Sequence, residues 1–255
     1  MEYKVHSREN PYFAAKVVCT LLVLAGLAAL VSLLSDGGEV SGLTTLITFA
    51  VYVVLLWLFI VFQKIYLVGY MKGNGIAVTE RQFPEVHAAY AEMGRELGIK
   101  KLPALFILQQ GGALNAFAIR FSGRNYVAIY SDVFSLMATD MDAVKFVLGH
   151  ELGHVGRAHM SKRFWTFPSS LVPFLTQAYS RSCEYTCDNI GMALSPAKPL
   201  NGLLVLAAGK ELYAKIDPRA YAADAAEQES AAVKFAGLLM SHPYLPKRLR
   251  NLGLE

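Results

Sequence analysis

The sequence contains little cysteine, little histidine and few charged residues. Three cysteines and six histidines occur in 255 residues, and charged residues make up 17% of the chain. Three cysteines form no even disulfide framework and Cys19 lies inside an apolar run, so we expect no oxidised scaffold and favour a reducing compartment. Cys183 and Cys187 form C-x-x-x-C rather than the C-x-x-C of redox pairs and common zinc modules, which predicts packing roles for both.

Basic residues interleaved with aromatic ones, the pattern typical of nucleic-acid-binding surfaces, are also missing. The formal net charge of +4 and the isoelectric point near 8.9 make the chain only moderately basic. We therefore expect no nucleic-acid partner.

Apolar residues, in contrast, are abundant. They make up 54% of the chain, and the mean hydropathy of +0.35 is too high for an ordinary soluble protein. Two runs, residues 17–34 and 40–63, carry no charge, and each approaches the ~20 residues with which a helix crosses the ~30 Å hydrocarbon layer. They predict transmembrane helices at about residues 13–34 and 42–66. A cleaved signal peptide is the alternative for the first run, but this run is long, starts late and is soon followed by the second, so an anchoring hairpin in the lipid bilayer fits better.

The charges around this hairpin predict its orientation. The link between the two runs, residues 35–42, carries Asp36 and Glu39 and no basic residue. The basic residues lie outside the hairpin: Lys4, Arg8 and Lys16 before it, Lys64 and Lys72 after it. The positive-inside rule then places both termini and the catalytic segment on the cytoplasmic side. The prediction is an integral membrane protein, of the inner (cytoplasmic) membrane if the cell is bacterial.

A domain boundary is predicted at the glycine-containing break MKGNG, residues 71–75, after which charge and polarity return. It divides the chain into an N-terminal membrane anchor, residues 1–72, and a second domain, residues 73–255.

The first part of the second domain has the pattern of a helix followed by a small β-sheet. The helix is predicted over residues 79–97 and ends at Gly98. Three strands are predicted at residues 104–109, 115–121 and 125–131, of which the last two form a hairpin.

The histidines of GHELGH, residues 149–154, are the clearest chemical signal. His150 and His154 lie one helical turn apart, so both rings can reach one metal ion, and Glu151 beside them can act on a bound water. Such a site needs two imidazole ligands, one further ligand and an open position for water. Thr139 is predicted to be the N-cap of this helix, and the charged residues around the motif place it outside the bilayer.

The third ligand must come from elsewhere in the chain. His159 comes one position too early for the H-E-x-x-H-x-x-G-x-x-H pattern, and on a continuous helix it would face away from the metal. A glutamate from a second helix is the other known solution. Glu184 is the first acidic residue after the motif, and Asp188 follows one turn later, where it would hold the other ring nitrogen of a ligand histidine. Three later glutamates remain alternatives on spacing alone: Glu211, Glu227 and Glu229.

These segments together resemble a known family. The N-terminal spans, NAFA (115–118), HELGH (150–154), SRSCEYTCD (180–188) and SHPYLPKR (241–248) are similar, in this order, to the HtpX-like membrane zinc endopeptidases, relatives of the CAAX prenyl proteases. The resemblance runs from about residue 70 to the C-terminus. Two features depart from the family: Cys187 replaces a usual alanine, and the 29 residues between His154 and Glu184 leave little room for the further spans of HtpX.

The resemblance implies an α+β gluzincin fold. An N-terminal two-helix transmembrane hairpin would precede a mainly helical, zincin-type metalloprotease domain with a small β-sheet whose edge strand lines the cleft. One zinc ion per chain would be held by His150, His154 and Glu184, with Glu151 as general base. The further implied roles are support of a ligand by Asp188, oxyanion stabilisation by His242, pairing of Arg248 with an acidic group, and substrate binding by Asn115, Ala116, Phe117 and Ala118.

The predicted function is hydrolysis of peptide bonds in protein or peptide substrates, with unfolded or damaged membrane proteins as the natural candidates. A CAAX-type prenyl-protein protease shares this chemistry, although two spans are few for the enclosed chamber that it implies. The other alternative is a membrane-anchored metal-binding interaction protein without catalysis, which the complete residue set disfavours. The charged flanks of the motif disfavour an intramembrane protease.

Three later stretches have simpler predictions. Residues 164–179 and 200–209 are too short or too rich in proline to span a membrane, and are expected to be buried or membrane-grazing. Residues 217–240 have the composition of an alanine-rich helix near the cleft, either a gate or, as we favour, a packing element.

Overall fold

A computed structural model describes residues 1–35, 39–109, 116–195, 197–198 and 200–253. It is mainly helical with one small mixed sheet, which confirms the predicted α+β class. The helices are α1 (Glu9–Ser35), α2 (Glu39–Asn74), α3 (Pro84–Glu96), α4 (Ser131–Phe134), α5 (Met141–Gly156), α6 (His159–Trp165), α7 (Leu175–Leu194), α8 (Asn201–Ala208), α9 (Pro218–Glu227), α10 (Ala231–Leu239) and α11 (Leu245–Asn251). The strands are β1 (Ile76–Ala77), β2 (Ala104–Leu108), β3 (Ala116–Phe121) and β4 (Arg124–Tyr130), and short 3-10 segments cover Ser135–Ala138, Phe167–Leu171 and Tyr213–Lys215.

The first two helices pack against each other and present apolar side chains outward. Stretches of 25 and 33 residues, Glu9–Leu33 and Gly42–Asn74, are long and apolar enough to cross a membrane. Only 11% of the first apolar window and none of the second is buried in the protein, which distinguishes these helices from the buried core helices of a soluble fold. The predicted spans at residues 13–34 and 42–66 fall within these two helices.

The sheet has the order β1–β2–β4–β3. Strands β2 and β4 are parallel, and the other two pairings are antiparallel. Strands β3 and β4 form the predicted hairpin, with Ser122 and Gly123 at positive φ values of 48° and 73° in its tight turn. Strand β3 is therefore an edge strand, and Asn115 before it lies outside the described residues.

Helices α5 and α7 pack closely and form the base of the candidate site. A Cβ atom on Gly153 of α5 would lie 3.1 Å from Cys187 Sγ, and a Cβ on Gly191 of α7 would lie 2.8 Å from the carbonyl oxygen of Phe146. Glycine at these contacts lets the two backbones approach, and Cys187 fills the remaining space as a small buried side chain.

Three sequence-based boundaries were wrong, each for a local reason. The helix expected from Thr79 begins at Pro84 instead, because proline favours the first helical position and Thr79 forms a β-bridge with Gln82. The N-cap of α5 is Asp140 rather than Thr139, and its carboxylate accepts a hydrogen bond from the backbone N–H of Ala143 at 3.1 Å.

The third boundary concerns residues 217–240, which form two helices instead of one. Asp217 caps α9 and Ser230 caps α10, so the chain turns between them. Helix α3 ends just before Gly98, as expected, and Gly98 has a positive φ of 65°. Residues 201–208 form a largely buried helix.

Candidate active site

Two histidines of α5 and one glutamate of α7 converge at one point. The Nε2 atoms of His150 and His154 lie 3.2 Å apart. The two carboxylate oxygens of Glu184 lie 3.3 Å from His150 Nε2 and 3.4 Å from His154 Nε2. The structure thus brings together the three side chains that the resemblance implied as ligands. The alternatives Glu211, Glu227 and Glu229 are all exposed, and none of these three described residues lines the cleft around His150.

These distances fit a metal ion. A tetrahedral site with metal–nitrogen bonds of 2.0–2.1 Å has edges of about 3.3 Å, close to all three separations. Glu184 is buried, and its Oε2 atom has no hydrogen-bond partner among the described residues, although such an atom is costly to bury alone. Two imidazoles and one carboxylate with an unpartnered oxygen therefore form a donor set suited to zinc.

The other ring nitrogen of His150 is held by a buried ion pair. Its Nδ1 atom lies 2.9 Å from Asp188 Oδ1, and the guanidinium of Arg248 donates to both carboxylate oxygens of Asp188, at 2.6 and 2.8 Å. Burial raises the pKa of Asp188, but Arg248 and His150 outweigh burial and hold that pKa below its usual range. Asp188 is thus an ionised acceptor for an N–H at His150 Nδ1, which leaves Nε2 to face the metal position.

Charge interactions also reach His150 and Glu184 themselves. Burial lowers the pKa of His150, but its interactions with the Asp188 and Glu184 carboxylates outweigh burial and raise that pKa to about 10. Burial raises the pKa of Glu184, yet His150 and His154 hold it well below its usual range. In the absence of a metal, a proton on His150 would therefore compensate the buried carboxylates, so a metal ion must displace it.

His154 has a different support. Its Nδ1 atom lies 3.1 Å from His159 Nδ1, and His159 Nε2 lies 3.2 Å from a carboxylate oxygen of Glu9. Helix α5 ends at Gly156, and Ala158 adopts a φ of 54°, so His159 turns back behind His154 instead of continuing along one helix. His159 therefore contacts His154 through Nδ1, on the side away from the Nε2 atom that lies near His150.

The cleft above these residues contains the remaining predicted side chains. It is lined by Glu151, by His242 and by the edge strand at Ala116, Phe117 and Ala118. Glu151 is buried, whereas the side chain of His242 is 63% exposed, with its Nε2 atom 3.5 Å from Glu184 Oε1. Arg248 also lines the cleft. Asn115 cannot be placed because it lies outside the described residues.

The chain is similar to known peptidases. The chain matches peptidase family M48 over residues 80–167 and 162–254. The chain belongs to peptidase family M48. It is also similar to a protease HtpX homolog of Halobacterium salinarum, with 32% identity over 76 residues, which is 30% of this chain and 25% of that protein. The chain therefore matches about a quarter of the length of this curated relative, and no solved structure matches it. The resemblance to HtpX-like proteases is confirmed.

One buried cysteine, Cys187, lies close to the two histidines of this M48 chain. Cys187 Sγ lies within 4.8 Å of ring nitrogens of both His150 and His154, and 3.7 Å from His159 Nδ1. Burial, followed by the nearby Glu184 carboxylate, raises the pKa of the Cys187 thiol well above its usual range. A neutral thiol is a weaker metal ligand than the ionised Glu184, so Cys187 fits a packing role.

Sequence reasoning missed Glu9 altogether. The sequence analysis assigned it no role, yet its side chain is fully buried beside His159 and Arg157. An acidic residue just before a predicted span, together with an unassigned histidine beside the HExxH helix, was the available signal.

Proposed function

We propose that this chain is a membrane-anchored, zinc-dependent metalloendopeptidase that hydrolyses peptide bonds. The observation that carries the proposal is the convergence of His150 Nε2, His154 Nε2 and the Glu184 carboxylate within 3.4 Å of one another, beside Glu151 in one cleft. Membership of peptidase family M48 supports the reaction class.

His150, His154 and Glu184 would hold one zinc ion per chain. Bound zinc would supply a Lewis acid that lowers the pKa of a water to about 7 and polarises the scissile carbonyl. Asp188 orients the ring of His150 through Nδ1, and Arg248 keeps Asp188 ionised and in place.

Glu151 carries out the proton transfers. Its carboxylate accepts a proton from the attacking water and then delivers it to the nitrogen of the departing amine. The burial of Glu151 beside the ligands excludes bulk water from this transfer. His242, whose Nε2 atom faces Glu184 across the cleft, is positioned to donate a hydrogen bond to the oxyanion of the tetrahedral intermediate.

The edge strand β3 would hold the substrate. An extended peptide can add to this edge strand through backbone hydrogen bonds, with Asn115, Ala116, Phe117 and Ala118 as the predicted contact residues. Because backbone pairing selects little on side chains, we propose unfolded or membrane proteins as substrates.

The anchor, residues 1–72, would hold the protease domain, residues 73–255, at the membrane. The basic flanks of the hairpin support a cytoplasmic position for both termini and for the catalytic domain.

The test is cleavage of casein by the detergent-purified full chain loaded with zinc. Glu151→Gln should keep zinc but lose turnover by about 10²–10⁴-fold, the usual contribution of a general base. Glu92→Gln, at an exposed position on α3, is the matched control and should cut as the unmodified chain does. Cleavage by Glu151→Gln at the unmodified rate, or cleavage that survives a chelator, would exclude this assignment.

A further inference from the structure

Glu9 opens the first membrane helix, yet its carboxylate is buried next to the metal-binding motif. The chain before it, residues 4–8, runs along α7: Asn189 Nδ2 donates to the carbonyl of Lys4 at 2.7 Å, and the backbone N–H of His6 donates to Thr186 Oγ1 at 3.0 Å. These contacts fix the start of α1 against the helix that carries Glu184.

Two hydrogen bonds connect His154 to Glu9 through His159, and only one donor–acceptor direction is consistent with both. If His154 binds metal through Nε2, its Nδ1 carries the proton and donates to His159 Nδ1, 3.1 Å away. His159 must then carry its proton on Nε2, and that N–H donates to Glu9 Oε1 at 3.2 Å. A carboxylate only accepts, so Glu9 selects the His159 tautomer that can accept from His154.

We propose that Glu9 is a positioning residue of the active site, which acts through His159 to hold the ring of His154 with Nε2 toward the metal. The inference rests on the proposed zinc site and extends it: the membrane anchor supplies part of the metal centre. A ligand histidine commonly donates its second ring N–H to such a partner, and here the partner reaches back to α1.

A purely structural role for Glu9 is the competing explanation. Arg157 donates to Glu9 Oε1 from Nε and Nη2, at 3.1 and 2.7 Å, which makes a buried ion pair between α1 and the end of α5. Loss of this pair would weaken the packing of α1 without passing through His159. The two roles therefore differ in whether the effect of Glu9 requires His159.

The experiment is a double-mutant cycle on zinc affinity, measured on the full chain in detergent by competition with a chelator. Glu9→Ala and His159→Ala should each weaken zinc binding by about 10–100-fold, the usual cost of losing such a partner. The double variant should be no weaker than His159→Ala alone, because Glu9 acts through that ring. Glu9→Gln, which keeps an acceptor oxygen and the same size, should lose less than Glu9→Ala, and Glu92→Ala should lose nothing.

Two results would overturn the proposal. One is zinc affinity within twofold of the unmodified chain for Glu9→Ala, or for His159→Gln if the alanine variants do not fold. The other is an equal weakening by the Glu9 substitution with and without His159, which would indicate a structural role. If no chain binds zinc, including the unmodified one, the proposed metal site itself fails, and this is a different outcome.

A second inference concerns an aromatic surface next to the membrane helices. We define this surface by Phe164, Trp165, Phe167, Leu171 and Phe174, whose exposed fractions run from 40% to 75%. Such a set of large apolar side chains on one short segment needs a partner.

The surface lies against both membrane helices. Lys16 of α1 donates to Ser169 Oγ and Thr176 Oγ1, at 2.7 and 2.8 Å, and so holds this segment to the first span. Trp57 and Ile60 of α2 line a common groove with Phe164 and Trp165.

We infer that this aromatic surface rests in the interfacial layer of the lipid bilayer. Aromatic rings with neighbouring lysine and arginine are typical of the membrane–water boundary, and Lys162 and Arg163 precede the surface directly. The catalytic domain would then contact the bilayer at a second place, in addition to the two membrane helices. This inference rests on the insertion of those helices into the bilayer.

The two tryptophans of the chain allow a direct test. Trp57→Phe leaves Trp165 as the only tryptophan, and Trp165→Phe leaves Trp57 as a reporter of the second span. In phosphatidylcholine vesicles, lipids brominated near the headgroup should quench Trp165, lipids brominated deeper should quench Trp57 more strongly, and aqueous iodide should quench neither well. Quenching of Trp165 by iodide but not by brominated lipid, with Trp57 still quenched by lipid, would overturn the inference. If lipid quenches neither, the membrane spans fail as well.

Discussion

The two proposed ligand histidines, His150 and His154, lie one turn apart on α5, but different parts of the chain support them. His150 rests on the charged pair Asp188–Arg248, which belongs entirely to the C-terminal helices α7 and α11. His154 rests on a neutral ring, His159, backed by Glu9 of the membrane anchor. The comparison teaches that two neighbouring positions of one motif can depend on segments almost the whole chain apart, so their supports can be perturbed separately.

The largest expected effect removes the residue that both histidines share. Glu184→Ala deletes the third ligand and leaves the two ring nitrogens without a counter-charge, so we expect zinc binding and proteolysis to fall below detection. Glu211→Ala is the control at an exposed alternative glutamate. Zinc retained by the first variant and lost by the second would reassign the third ligand.

The next largest effect is expected when only the contact between His150 and Asp188 is weakened. Asp188→Asn removes the charge that holds Arg248 and weakens the hold on His150 Nδ1, so zinc affinity should fall by about 10–100-fold. Because an unpaired Arg248 remains buried, this variant should also unfold at lower temperature, which calorimetry without added zinc would detect. An unchanged affinity would mean that His150 needs no support.

The pH dependence of stability should separate the two supports. Burial lowers the pKa of His159 from 6.5 to about 4, so its protonation favours the unfolded chain, and the stability it supplies is lost as the pH falls from about 6.5 to 4. The lowered pKa of Asp188 supplies stability that is present above its unfolded value of 3.8 and is lost only below it. Thermal unfolding of the zinc-free chain should therefore weaken in two stages on acidification. His159→Gln should shrink the first stage, to which His6 also contributes because burial lowers its pKa from 6.5, and should spare the second stage. A single stage in the unmodified chain would contradict this assignment.

The smallest effect tests the third group near the histidines. Cys187→Ala should leave zinc affinity within about twofold, because removal of a neutral packing thiol deletes no ligand. Some stability should be lost, since Cys187 packs against Gly153 where α5 and α7 meet. A large loss of zinc affinity would identify the thiol as a ligand. The residues that support the two histidines would then contribute a smaller share of the zinc affinity.

Much of the site was predictable because its parts are local in the sequence. His150, Glu151 and His154 follow from helical spacing, and Asp188 follows Glu184 by one turn of α7. The choice of Glu184 over later glutamates was open on spacing alone, because contact between α5 and α7 depends on glycine and cysteine packing that no periodicity reveals.

The fold was predicted to a similar depth. The two apolar helices, the hairpin and the helical character of the motif all follow from hydrophobic runs and turn residues. The start of α3 and the break between α9 and α10 were missed, because caps and turns are decided by one or two side chains.

The sequence by itself determined the apolar anchor, the small sheet and the residues of the metal-binding motif, since these depend on local hydrophobicity and on periodicity. Only the tertiary structure decided what lies behind His154. The turn at Ala158 reverses His159, and the docking of α1 buries Glu9 beside it. Residues 9 and 159 are far apart in the sequence, so no local pattern could have indicated their contact. The buried charge of Glu9 is compensated by Arg157 and by hydrogen bonds that form only in the folded chain.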